Sequence, residues 1–430
     1  LEPGAVAQAI EVSASAPVIT SENATIGNVL ESQTIRTLPL NGRTLDRLIR
    51  ISAGVTTDSA ANPRVAGSAY WGGIQFSVDG VTYNDMGNGG GAYSYRNGLA
   101  TLPSVDSISE FKMDSNNQKA EYEGSVSATV VTKSGTNGLH GSVLWFNRNK
   151  EYAAKNFFAT GLAKPPFNRN EFGYSVGGPI VKNKTFFFHS YEGLRERTAR
   201  TNTLSVATQA MRAGDFAGLP VIIDPLSGLP FEGNQIPASR IDPRSKALIE
   251  KVPLPNRAGA GPAGTLTNYT VNLPNISDVN RWGVRVDHRF SEKDSIWVNL
   301  NYSRGNPYFV AQGYPEGYGS WENGGYSTQS ANITHSHSFS PTTLNEFRFG
   351  YLRHASVRQG MNRDFDPLSL FPDLYPVSYG GLPNININGH VAIGDYGGSD
   401  LTPQLTPQFI NNLTHIRGRH TIKTGFDIAN

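Results

Sequence analysis

The alternation of apolar and polar positions is the strongest signal in this chain, and it is clearest over residues 281–304. Trp282, Val284, Val286, His288 and Phe290 fall on one face of an extended strand, and Arg281, Arg285, Asp287 and Arg289 fall on the other. A tight turn, Ser291 to Asp294, follows. Ile296, Val298, Leu300 and Tyr302 then alternate with Trp297, Asn299, Asn301 and Ser303. Side chains along a strand point to opposite faces with period 2, so the segment reads as a hairpin of two long strands. One face is apolar and aromatic, and the other is polar and charged. Such a long hairpin with one wet face fits the wall of a membrane barrel better than a soluble sheet.

The same rhythm predicts strands at about 139–149, 170–181, 184–194, 281–290, 295–304, 328–339, 343–356, 407–417 and 420–429. Their connections alternate in length. The short ones are 182–184, 291–294, 340–342 and 418–419. The long ones are about 150–169, 195–280, 305–327 and 357–406. Outer-membrane barrels place short turns on the periplasmic side and long loops outside. A β-sandwich also alternates, but the loops at its two ends are comparable. Within the longest loop, Asp242-Pro243 opens a helix through about Lys251, with Asp as N-cap and Pro in the first helical position.

Residues 24–134 carry a different pattern and read as a compact α+β unit. Thr44 to Ile51 is helical, with Leu45, Leu48 and Ile49 on one side. Phe76 to Val81 is a strand entering an Asp79-Gly80 turn. Val105 to Met113 and Ser125 to Thr132 are further strands, and Asn84 to Asn97 is a Gly-rich loop. The predicted fold class is therefore mainly β. A small α+β domain at 24–134 precedes the first strands of a large antiparallel transmembrane β-barrel at 135–430, incomplete and open in this chain. Residues 1–23 read as a linker or the end of a preceding β-domain.

Composition narrows the function classes. The 430 residues carry a net charge of +2, which gives no case for nucleic acid or a polyanionic substrate. Mean hydropathy is −0.35, and no run of about 18 apolar residues exists, so no transmembrane helix is expected. A barrel escapes that test, because alternation dilutes its hydropathy. The absence of cysteine removes disulfides, thiol catalysis and cysteine metal sites. The chain begins at Leu1 without a signal segment and ends within a strand pattern, so both ends read as cuts in a longer protein.

The order of short motifs resembles a known family. Leu38-Pro39-Leu40-Asn41-Gly42-Arg43, Ala53-Gly54-Val55 and Val78-Asp79-Gly80-Val81 resemble the plug domain of TonB-dependent outer-membrane receptors. Ser107 to Lys112 followed by Val130-Val131-Thr132-Lys133-Ser134-Gly135 resembles the end of that plug. Asn170 to Gly173, Gly177 to Ile180 and Lys184 to Phe188 are similar to the Oar-like subgroup, in which a carboxypeptidase-regulatory-like β-domain precedes the plug. The resemblance implies a plugged barrel of roughly 22 strands, of which about nine are present here. It also implies a Gram-negative outer-membrane location and uptake of a large ligand such as a siderophore, oligosaccharide or peptide. The partners it implies are the TonB–ExbB–ExbD energy-transducing complex, outer-membrane lipid and an unknown large ligand, without nucleic acid. An adhesion- or secretion-related barrel without import, and a soluble β-rich carbohydrate-binding protein, are the rival readings.

Candidate site residues follow from both lines. Ile10, Glu11, Val12, Ser13 and Ala14 are the candidate TonB-coupling segment, which would add as a strand to its partner; a linker or the last strand of an upstream domain reads equally from the residues. Trp71, Tyr93, Tyr95 and Arg96 stand in or near the Gly-rich loop, and Tyr318 and Trp321 in an aromatic loop. All are candidates for stacking on or hydrogen-bonding a ligand, against packing or girdle roles. The Gly-rich loop lacks the Gly-Lys-Ser/Thr of a phosphate loop. His335 and His337 share a face at metal-ligand spacing, but the adjacent sequence offers no third ligand. Arg281, Arg285, Arg289, Asp287, Arg348, Lys423 and Asp427 should face a lumen. No catalytic pattern, cofactor site or metal site is expected.

Overall fold

A computed structural model describes residues 26–38, 45–52, 54–57, 63–65, 74–83, 103–116, 126–154, 164, 166–309, 322–359 and 400–429. Between the last two segments it also describes 362, 364–373, 381–382, 384–386 and 393–394.

The N-terminal unit is built on a five-stranded sheet. Strands β1 (Ile26–Glu31), β4 (Ile74–Val78), β5 (Val81–Thr82), β6 (Ile108–Asn116) and β7 (Val126–Thr132) lie in the order β1-β6-β7-β4-β5. The β4–β7 pair is parallel and the others antiparallel. Helices α1 (Ser32–Thr37) and α2 (Leu45–Arg50) and a small β2–β3 hairpin (Val55–Thr57 and Pro63–Val65) complete it. The β4–β5 turn needs left-handed backbone at both central positions, and Asp79 (φ 51°) with Gly80 (φ 78°) supplies it. Ile35, Leu48, Phe76, Val78, Phe111 and Val130 form the core; Leu352, from the larger sheet, closes it.

The larger sheet is an antiparallel meander of nine strands with β8 and β16 at its free edges. It runs through β8 (His140–Asn149), β9 (Phe167–Val181), β10 (Thr185–Leu204), β11 (Tyr269–Arg289), β12 (Asp294–Phe309), β13 (Glu322–Ser340), β14 (Thr343–Gln359), β15 (Asp400–Arg417) and β16 (His420–Ala429). These are the nine strands the alternation predicts, in an open, curved wall. Several run further than predicted. The longest loop shrinks from 195–280 to 205–268, and the loop at 357–406 to 360–399. The faces are as read: Trp282, Val284 and Leu300 are exposed outward, while Asn299, Ser303, Asn332 and Thr334 are buried inward. A row of outward rings, Tyr174, Tyr191, Trp282 and Tyr302, crosses four strands with centroids 5.4–6.0 Å apart. From Trp282 to Phe290 the outward residues cover about 27 Å of strand. With a tilt of about 40° this projects to about 21 Å, most of an apolar band about 25 Å tall.

Above that row the wall continues as a long β10–β11 ribbon bearing a packed loop unit. Val206, Leu248, Val252, Tyr269, Leu382 and Ile393 form a second core, joining loop 205–268 to the β14–β15 loop. Helix α3 (Gln209–Arg212) and helix α4 (Pro243–Glu250) lie in the first of these loops, and Asp242 caps α4 as its sequence predicts. Asp224 takes a bidentate contact from Arg240 at 2.7 and 3.0 Å. The Arg240 guanidinium, then the Leu226 N–H, hold the Asp224 carboxyl down to about 2. Because the folded carboxyl titrates below its unfolded value of 3.8, the pair stabilises the loop at every higher pH, and the contribution fades as pH falls from about 4 to about 2. Pepsin cleavage within 205–268 should therefore rise only below about pH 4. In Asp224→Asn it should already be raised above that pH; an unchanged profile in the variant would remove the pair's role.

Candidate functional site

The structure brings no predicted ligand or coupling residue together, because all of them fall outside the described residues. That holds for Ile10, Glu11, Val12, Ser13, Ala14, Trp71, Tyr93, Tyr95, Arg96, Tyr318 and Trp321. Tyr326, near the end of the aromatic loop, is described, and it lies half-buried across Gly305, where a Cβ would overlap its ring.

What the structure does assemble is a seam between the small unit and the wall, and it centres on the β4–β5 turn. Asp79 is buried there. Its Oδ1 accepts from the Thr132 N–H at 2.8 Å, and its Oδ2 accepts from Thr132 Oγ1 at 2.7 Å and from Asn299 Nδ2 at 2.6 Å. Arg285 Nη1 stands 3.7 Å from Asp79 Oδ1 and donates to both oxygens of Thr132 at 3.1 Å. The guanidinium also pairs with Asp287 at 2.9 Å and lies over the Trp297 ring at 4.5 Å. A buried charge needs this degree of pairing, since an isolated one would be strongly penalised. Two strands of the wall and two of the small unit thus share one polar cluster.

The rest of the hairpin touches the wall at five more places. Asn332 Nδ2 donates to Val78 O at 3.0 Å. The Tyr83 hydroxyl donates to Ser330 Oγ. Val81 fills the space left by Gly350, where a Cβ would overlap its γ-methyl groups, and Gly80 is covered by the Arg348 guanidinium. Thr82 N–H donates to Gln408 Oε1 at 2.8 Å, and Gln408 donates in turn to Asp427 at 2.8 Å. A separate bridge runs higher up: Ser104 Oγ donates to Glu192 Oε2 at 2.7 Å, and Arg281 holds the other carboxylate oxygen at 2.6 Å.

Most of the expected lumen charges serve this seam. Arg289 and Lys423 are the exceptions: Arg289 is half exposed and bonds Glu292 in its own turn at 2.7 Å, and Lys423 is exposed on the edge strand β16. Next to the seam is a cavity of about 580 Å³, lined by Ser77, Thr82, Glu346, Arg348, Lys423 and Asp427 among others. His335 and His337 acquire the carboxylate that the local sequence lacked, for Asp294 stands opposite on β12, 3.4 and 2.6 Å away. Among the described residues no group of three such side chains is arranged to hold a metal ion.

Thr132 stands in the plug-end motif, but the seam residues Asn299, Asn332 and Gln408 were not singled out by the sequence. Their only trace there is a period-2 run of small amides and hydroxyls on the inward face.

Comparison with known proteins agrees with this geometry. The family model described as an outer membrane beta barrel domain matches residues 131–430. The TonB-dependent transporter Oar of Myxococcus xanthus is 24% identical over 231 residues, which are 50% of this chain and 20% of Oar. Among solved structures, the siderophore receptor PirA from Acinetobacter baumannii superposes with a TM-score of 0.53 at 12% identity, over 93% of this chain and 47% of PirA. The outer membrane transporter YddB from Escherichia coli gives 0.56 at 11% identity, over 93% and 47%. The chain thus spans about half the length of these structures. These relatives are transporters and receptors. The chain belongs to the outer membrane beta-barrel family, has the plug-and-barrel fold of TonB-dependent receptors, and resides in the outer membrane of a Gram-negative bacterium.

Proposed function

We propose that this chain is the plug and part of the barrel of a receptor that takes up a large nutrient (a siderophore, oligosaccharide or peptide) by energy-coupled displacement of the plug. The observation that carries the reading is the Asp79 cluster. A β-turn of the plug is held in the wall by a few hydrogen bonds and one buried ion pair. Such a contact is stable at rest and separable as a unit. The adjoining cavity of about 580 Å³, with Glu346, Arg348, Lys423 and Asp427 in its mixed lining, supports a route along β14–β16 once the hairpin moves. The outward apolar face meets membrane lipid, and the chain itself hydrolyses nothing.

In this reading Ile10-Glu11-Val12-Ser13-Ala14 is pulled by the TonB–ExbB–ExbD complex, pairing with it as an added strand. Trp71, Tyr93, Tyr95, Arg96, Tyr318 and Trp321 contact cargo at the outside. Val12→Pro removes a strand N–H and should abolish uptake while leaving surface binding intact. Unchanged uptake would remove the coupling assignment and favour an adhesive barrel. A Tyr318→Ala, Trp321→Ala variant that inserts normally should lose cargo binding; normal binding would return those rings to packing.

A further inference from the structure

Three hairpins of the wall repeat one device at their short-turn ends. Strands β11, β13 and β15 each carry a histidine there: His288, His337 and His415. Directly opposite in register stands the first residue of the neighbouring strand, Thr185 of β10, Asp294 of β12 and Thr343 of β14. In all three, the ring Nδ1 is bonded to the opposing side-chain oxygen, at 2.8, 2.6 and 2.9 Å. The period-2 alternation puts all three rings on the outward face, at the lower edge of the apolar band. Phe290 and Phe339 lie edge-on to His288 and His337, each at 4.5 Å. The third site has Arg417 in the place of the phenylalanine. The device recurs on every second strand and steps two residues along it each time, since His288 aligns with His335 and His337 with Leu413, so neighbouring rings are about 12 Å apart.

Occupying Nδ1 fixes ring orientation and leaves Nε2 as the atom available to a group outside the sheet. Rings this far apart cannot share a metal ion, whose bonds to nitrogen are about 2 Å. The adjoining turns carry Lys182, Lys184, Lys293 and Arg419 against Glu292 and Asp294, while Arg289 is engaged by Glu292 and His335 leans toward Asp294. The excess of positive charge at the edge of an apolar surface suits an anionic group carried on acyl chains.

We propose that this row of Nδ1-anchored imidazoles binds the phosphates of glycerophospholipids in the periplasmic leaflet, one lipid per hairpin. The proposal rests on the reading that the outward face meets lipid and that the short turns are periplasmic. Each Nε2–H donates to a phosphate oxygen while the acyl chains cover Val284, Val286 and their neighbours above it, and Phe290 and Phe339 flank the rings on the turn side.

The test uses the full-length protein, purified in a maltoside detergent and exchanged with phosphatidylglycerol vesicles, with retained lipid counted by native mass spectrometry. A His288→Asn, His337→Asn, His415→Asn variant keeps an amide near each Nδ1 position but lacks Nε2. The corresponding Gln variant reaches the Nε2 position. Phospholipid retention should fall roughly tenfold per site in the Asn variant and recover in the Gln variant. Unchanged retention in the Asn variant, or equal retention of a phosphate-free glycolipid, would overturn the proposal alone. Wild-type protein that stays soluble without detergent would overturn the barrel reading and the proposal with it.

Discussion

Asp79→Ala is expected to free the plug from the wall and make the outer membrane permeable to large antibiotics. The Asp79 side chain is 2% exposed and serves three donors at once. Removing it leaves the Thr132 N–H unpaired, at about 1–3 kcal/mol, while the Asn299 amide keeps only its bond to Thr132 Oγ1 at 3.0 Å. It also takes one of two carboxylates from Arg285, which keeps Asp287 at 2.9 Å, so the loss there stays below the about 3–5 kcal/mol of a buried charge left without a partner. Asp79 has a φ of 51°, so alanine adds backbone strain of about 1–2 kcal/mol. Asn tolerates that backbone, so Asp79→Asn separates the charge from the strain: it should lose less than alanine, yet more than half of the alanine effect. Vancomycin sensitivity of cells and thermal release of the plug in purified protein both read the change. Normal permeability in Asp79→Ala, with the protein at normal abundance, would show that the cluster does not hold the plug.

Gly350→Val is expected to have a comparable effect from the opposite side of the seam. Gly350 lies on β14, where a Cβ would overlap both γ-methyl groups of the buried Val81. Val81 cannot retreat, because it follows a two-residue turn whose Gly80 is itself pressed against Arg348. Overpacking of this kind costs about 1–3 kcal/mol, and here the cost falls wholly on docking rather than on the wall's own hydrogen bonds. Substituting the neighbouring Tyr351, which points outward, should leave permeability untouched. Pairing Gly350→Ala with Val81→Ala should restore it, since the added methyl occupies the space vacated. If Gly350→Val cells exclude vancomycin as well as wild type does, the hairpin does not seat as described.

The wall was legible in the sequence wherever it lies in the membrane. There, one face must be apolar and the other polar, and Trp282 to Phe290 displays that alternation. Beyond the aromatic row both faces are wet, so Arg195 to Leu204 and Tyr269 to Asn280 lose the alternation and read as loop, although they are paired strand. The α4 helix was legible because Asp242-Pro243 is a local signal. The plug's sheet was only half legible: β4, β6 and β7 show as apolar runs, but β1 and the parallel β4–β7 pairing depend on contacts distant in sequence. The seam was hidden for the same reason. Asp79 reads as a turn residue, and nothing near it announces Asn299, 220 positions away. Asp294 likewise meets His337 only through the β12–β13 register.

Accessibility of position 81 in living cells tests plug displacement most directly, and it requires no knowledge of the cargo. These 430 residues hold no cysteine, so Val81→Cys places the one thiol among them where the native side chain is 1% exposed at the seam, and labelling is read against the same protein with Val81 intact. A membrane-impermeant maleimide supplied to the periplasm would then report whether the hairpin leaves the wall. Labelling should rise in energised cells, fall to background with a protonophore, and stay at background when Val12→Pro is added. Labelling that is the same with and without energy, or with and without Val12→Pro, would contradict energy-coupled displacement of the plug.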